Sequence, residues 1–193
     1  MTRPLVRIVR REAARLGMLR AGLTLGSLLE RAAAVHGSSV MVDQAAEPRT
    51  GVPARILTVA AAAELVDVWA GALVADGKLG AGDRVVVATP NSVEMLLATL
   101  AVSRAGGIPA PVYDAMRDDE IAHVVRDADA SVVIRGVDEL DARALRLGVN
   151  SGLGEDRGAT ERVAALFYTS GTTGSPKGAA LTHRALVGEL GRL

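Results

Sequence analysis

"GDRVVVATPNSVEMLLATLAVSRAGGIPAPV", residues 82–112, changes its hydrophobic pattern twice. "RVVVA" (84–88) is, after Arg84, an unbroken apolar run of strand length. "SVEMLLATLAVSRAGG" (92–107) has the period of a helix, with Ser92 placed to cap its start and Gly106 to stop it. "IPAPV" (108–112) returns to extended chain, because each proline disfavours helix at the residue before it. A strand that is apolar throughout, rather than at alternate positions, suits a sheet buried on both faces, and a helix between two such strands is how parallel strands are joined.

The alternation continues outward. Downstream, "DDEIAHVVRDAD" (118–129) predicts a helix with acids in its first turn, as the helix dipole favours. "SVVIR" (131–135) is a strand, "DELDARALRL" (138–147) a helix and "RVAALFYTS" (162–170) a last strand. Upstream, "AAAELVDVWAGALVADG" (61–77) turns Leu65, Val68, Trp69, Ala72 and Leu73 to one side and closes at Gly77. "SVMVD" and "ARILTV" flank a loop of turn formers and predict an antiparallel pair. "LTLGSLLERAAAVHGSS" (23–39) predicts a helix between Ser27 and Gly37. The expected class is α/β, a mostly parallel sheet flanked by helices.

Composition narrows the function. The chain has 193 residues, 49% of them apolar, with 22 basic and 22 acidic side chains, so no excess of positive charge points to nucleic acid as a partner. The absence of cysteine excludes disulfides, cysteine-ligated zinc and a cysteine nucleophile, and fits a cytoplasmic setting. No apolar run approaches the roughly 18 residues of a membrane span. Only the start is lopsided: Arg3, Arg7, Arg10, Arg11, Arg15 and Arg20 face one acid, Glu12. Residues 1–22 therefore read either as a basic amphipathic helix, with residues 1–20 in peripheral contact with an anionic membrane, or as a surface helix or tail.

After the last strand comes "FYTSGTTGSPKG" (167–178). Gly171, Gly174 and Gly178 allow successive backbone N–H groups to turn toward one point, the hydroxyls of Thr169, Ser170, Thr172 and Thr173 add short donors, and Lys177 adds a mobile charge. The loop suits a polyphosphate, and its place after a strand is where open α/β sheets bind ligands. It is not a Walker loop: counted from Gly171, Pro176 stands where the second glycine belongs and Gly178 where the Ser or Thr belongs. A dinucleotide fingerprint fails on spacing as well. His183 reads as a residue of a helix start, His36 and His123 as isolated helix residues, and Trp69 as core.

"YTSGTTGSPKG" resembles the phosphate-binding signature of the AMP-forming acyl-CoA synthetases, the adenylate-forming family that includes luciferases and nonribosomal peptide adenylation domains. Residues 82–112 are similar to that family's early strand–helix–strand segment, and "LTLGSLLERAAAVHGSSVMVD" to its opening helix, so the likeness runs over about residues 23–190. It implies that residues 23–193 are part of an AMP-binding domain, the first part of the large N-terminal domain of such an enzyme. It implies the family's chemistry: ATP activates a small-molecule carboxylic acid as an acyl-adenylate, which passes to the thiol of coenzyme A or of a carrier protein. By the same resemblance Thr169, Ser170, Gly171, Thr172, Thr173, Gly174 and Lys177 hold ATP phosphates, Lys177 being the residue assigned to catalysis, with Mg2+ accompanying the nucleotide.

"PAPVYDAMRDDEIAHVVRDADASVVI" (109–134) is similar to fatty acyl members, which favours a fatty acid. Two departures are expected. The stretch between Ile134 and Phe167 is shorter than in the family, and the family's adenine-binding, ribose-binding and C-terminal lysine motifs would fall beyond Leu193. The sequence thus reads either as the first part of a longer ligase, incomplete and inactive alone, or as a non-catalytic remnant or accessory binding module that keeps the phosphate loop.

Overall fold

The structure is a computed structural model that describes residues 22–46, 54–75, 77–113, 115–149, 161–169 and 176–190. Apart from Gly22, the expected N-terminal helix or tail lies outside the described residues. Helix α1 (Leu28–His36) is followed by β1 (Val40–Gln44) and β2 (Arg55–Thr58), which pair antiparallel as their sequences predict. Then come α2 (Val59–Ala75), β3 (Arg84–Thr89), α3 (Val93–Arg104), β4 (Ile108–Tyr113), α4 (Asp118–Asp127), β5 (Ala130–Ile134) and α5 (Asp138–Leu147).

The three central strands form a parallel sheet in the order β4-β3-β5, with Arg84 opposite Ile108 on one side and Ala130 on the other. Because side chains alternate along a strand, β3 serves two cores. Val85 and Val87 face a cluster with Trp69, Leu73, Leu97, Leu100 and Leu140 from α2, α3 and α5. Val86 and Ala88 face Ala110, Val112, Ile121 and Val124, the last two from α4. Helices thus cover both faces, which is why the residues after Arg84 in "RVVVA", Val85 to Ala88, are all apolar.

Buried polar groups tie the helices together. The Trp69 indole, fully buried, donates to Asp141 Oδ1 at 2.7 Å and joins α2 to α5. The buried Arg104 guanidinium on α3 pairs with Asp67 on α2 at 2.7 Å and with Glu30 on α1 at 2.8 Å. Ser92 differs from expectation: its backbone has the extended conformation of a cap, but its hydroxyl makes no bond to the first-turn amides. It bonds instead to the Glu94 carboxylate, which Arg55 also reaches at 3.1 Å. Burial works to raise the Glu94 pKa, yet the hydrogen bonds from Ser92, from its own backbone N–H and from Arg55 outweigh it and leave the group below its ordinary value.

Three further elements complete the described chain: β6 (Val163–Thr169), β7 (Lys177–Thr182) and α6 (His183–Leu190). β6 runs beside β4, and its Leu166 and Tyr168 pack against the core that α4 covers. Ile108 and Val163 line one cavity of about 420 Å³, so β4 and β6 begin at the same end. β7 is a strand that the sequence reading did not anticipate. It pairs antiparallel with β6, from Val163 opposite Thr182 to Thr169 opposite Lys177.

Candidate functional site

The end of β6 and the start of β7 form the base of the glycine- and hydroxyl-rich loop. Of the residues assigned to phosphate binding, Thr169 and Lys177 are described, and they face each other as the last register pair of the hairpin. Both are exposed. Ser170, Gly171, Thr172, Thr173 and Gly174 lie outside the described residues. The hairpin therefore sets Thr169 and Lys177 opposite each other at the carboxyl end of β6, away from the cavity at the strand starts.

Two side chains of α4 hold this base. His123 and Asp127 are four residues apart and share one face of the helix. His123 Nε2 lies 3.1 Å from the carbonyl oxygen of Pro176. A carbonyl only accepts, so His123 Nε2 carries a proton and donates it to this bond. The Tyr168 hydroxyl donates to Asp127 Oδ2 at 2.8 Å. Burial first, and then the Asp127 carboxylate that accepts this bond, push the Tyr168 phenol up to about 12. The sequence left His123 as an isolated helix residue; its partner is a backbone carbonyl, which carries no side-chain signature.

Gly178 is a second revision. Its cross-strand partner is Tyr168, and a Cβ added to Gly178 would stand 2.9 Å from Tyr168 Cζ and 3.0 Å from its hydroxyl oxygen. Its backbone is extended strand and not left-handed. Gly178 is small so that the Tyr168 ring can cross β7 toward Asp127, not to open an anion nest.

His183 opens α6, as expected of a helix-start residue. Thr182 Oγ1 accepts the backbone N–H of Ala185 at 3.2 Å and caps the helix, while His183 Nδ1 accepts the N–H of Leu25 at 3.0 Å and fastens the chain before α1. The cavity beside His183 is lined also by Gly82, Ser103 and Arg162 and lies at the other end of the strands from Lys177. No helix of the described residues is long and apolar enough to cross a membrane.

Comparison with known proteins agrees with this fold. Residues 29–192 match the family model for "AMP-binding enzyme". The chain is 32% identical over 127 residues to the beta-alanyl-bioamine nonribosomal peptide synthetase ebony of Drosophila melanogaster, covering 56% of this chain and 14% of that protein. It is 32% identical over 124 residues to the mitochondrial malonate–CoA ligase ACSF3 of Mus musculus, covering 54% of this chain and 21% of that one. Among solved structures, the inhibitor-bound N-terminal domain of FACL13 from Mycobacterium tuberculosis superposes with a TM-score of 0.67 at 26% identity, over 83% of this chain and 44% of that chain. The chain thus spans under half the length of each of these proteins.

Proposed function

Because the chain belongs to the AMP-binding enzyme family, we propose that it forms part of an adenylate-forming ligase that activates a carboxylic acid, a fatty acid by preference, as an acyl-adenylate and then as a thioester. Residues 23–193 are assigned to the first part of the large domain of that ligase. The observation that carries the reading is the register pair Thr169–Lys177, in which a hydroxyl-bearing and a cationic residue stand opposite each other at the carboxyl end of β6.

The chemistry needs those groups. A carboxylate oxygen forms a bond to the α-phosphorus of ATP as the bond from that phosphorus to the pyrophosphate oxygen breaks, and negative charge gathers on the departing pyrophosphate. Donors already fixed in place stabilise that charge without reorganising. Lys177 supplies the positive charge and Thr169 a hydroxyl, while Ser170, Gly171, Thr172, Thr173 and Gly174 are assigned to the same phosphates on their sequence pattern. Mg2+ arrives on the nucleotide and offsets phosphate charge when bound; among the described residues no group of three or more His, Asp or Glu could hold a metal by itself.

The preference for a fatty acid rests on residues 109–134. The thiol acceptor is coenzyme A or a carrier protein, and relatives carrying both a CoA ligase name and a nonribosomal peptide synthetase name support that pair. Residues 1–20 are assigned a peripheral membrane contact through their arginines.

The test is exchange of labelled pyrophosphate into ATP by the protein that carries these residues, with fatty, aryl and amino acids in turn. Exchange strongest with a fatty acid is expected. A preference for an aryl or amino acid overturns the substrate class, and ATP binding without exchange under any acid replaces the enzyme with a binding module.

A further inference from the structure

We infer that His123, together with the Tyr168–Asp127 pair, positions Lys177 for its phosphate, so that α4 is a clamp on the phosphate site. The inference rests on the phosphate role proposed above for Lys177. It starts from a property of the peptide bond: the Pro176 carbonyl belongs to the planar unit that also contains the Lys177 nitrogen and Cα. A hydrogen bond to that oxygen therefore fixes the direction in which Lys177 leaves the loop. His123 makes that bond at 3.1 Å. The proline ring restricts the same segment from the other side, since Pro176 has no free rotation about φ, and its side chain is buried.

The entry strand is held by the same helix. Tyr168 immediately precedes Thr169, lies over Gly178 and donates to Asp127 one turn beyond His123. One rigid helical face thus grips the residue before Thr169 on β6 and the residue before Lys177 on β7. The ladder then sets the Thr169–Lys177 pair. An exposed lysine on a flexible stem is a poor electrostatic catalyst unless its backbone is placed, because misplacement of a charged donor by a small distance forfeits its advantage. None of the three clamp residues need touch the nucleotide; they act through Lys177 and Thr169.

The experiment measures binding of inorganic pyrophosphate and of ATP to the protein that carries these residues by calorimetry, with amide exchange at residues 177–182 in the same samples. His123→Ala is expected to weaken pyrophosphate binding about fivefold, the equivalent of one ordinary hydrogen bond, and to speed exchange at the start of β7. His123→Gln, which keeps a donor of similar reach, is expected to stay within about twofold of the unsubstituted chain. Tyr168→Phe keeps the ring and loses only the Asp127 bond, so it tests the other arm without risk to the core. The inference is overturned if the unsubstituted chain binds pyrophosphate and His123→Ala and Tyr168→Phe bind equally well. It is overturned also if His123→Gln fails as fully as His123→Ala. An unsubstituted chain that binds neither pyrophosphate nor ATP removes the phosphate role itself, a different result from unaltered binding by the variants.

Discussion

Gly178→Ala should destabilise the protein although it adds one methyl group to an exposed strand. The new Cβ would lie 2.9 Å from Tyr168 Cζ, 3.0 Å from its hydroxyl oxygen and 3.2 Å from Cε1. Carbon atoms rest at about 3.5–4.0 Å, so the ring must move by roughly an ångström. The ring is the end of a side chain and can swing, but its hydroxyl is held at 2.8 Å by Asp127, and swinging breaks that bond. A hydrogen bond to a carboxylate at a partly exposed site is worth about 1–1.5 kcal/mol, and crowding adds about 1 kcal/mol. Against this, replacing glycine with alanine restricts the unfolded chain and returns about 0.4–1 kcal/mol. The net loss is about 1–2 kcal/mol, read as a shift of the urea midpoint without a change of slope. The cause can be isolated. In a Tyr168→Ala background the clash is gone, and Gly178→Ala should be neutral or stabilising, a reversal that a double-mutant cycle reports directly. In the otherwise unsubstituted chain, phenolate absorbance should show the Tyr168 pKa falling from about 12 toward 10.0. A neutral Gly178→Ala with Tyr168 present, or the same cost with Tyr168 absent, refutes the role given to this glycine.

Two further outcomes follow from the core. Trp69→Phe removes the bond to Asp141 and leaves a gap at a fully buried site, so it should cost about 2–3 kcal/mol in denaturant unfolding, while Asp141→Asn, which keeps an acceptor, should cost less than about 1 kcal/mol. Glu94 is held below its ordinary 4.5, so its stabilisation is present above that pH and is lost as pH falls through its folded value; Glu94→Gln should flatten the acid limb of stability measured by denaturation at several pH values.

The architecture was legible wherever local pattern and tertiary role agree. The middle of β3 has to be apolar at every position because two cores press on it, and that requirement is written in Val85 to Ala88 of "RVVVA". α2 and α3 announce themselves by period and by Gly77 and Gly106, both with positive φ just past the helix ends. β7 was not legible, because half of "KGAALT" is glycine and alanine, which have little strand preference; its conformation is imposed by pairing with β6. The same pairing explains Gly178, whose neighbour in space is ten residues back in sequence. In the candidate site, the proposed roles of Thr169 and Lys177 rest on residue type and on the resemblance of "YTSGTTGSPKG" to a family signature. The grip of His123 on Pro176 was not legible, since a backbone acceptor leaves no trace in a sequence and a lone histidine on a helix has many uses. Ser92 was legible as a boundary but not in its chemistry, because the carboxylate two residues on competes for its hydroxyl.

The central claim is that Lys177 acts on phosphate charge during adenylation. It is tested most directly by comparing the two half-reactions of the protein that carries these residues, with and without Lys177→Ala. Removing one fixed charged donor of this kind costs about 3–4 kcal/mol of transition-state stabilisation, so acid-dependent pyrophosphate exchange should fall roughly a hundredfold to a thousandfold. Thiol transfer from a supplied acyl-adenylate, in which no pyrophosphate leaves, should stay within about twofold. Equal slowing of both half-reactions, or a change confined to apparent ATP affinity, would contradict the role assigned to Lys177.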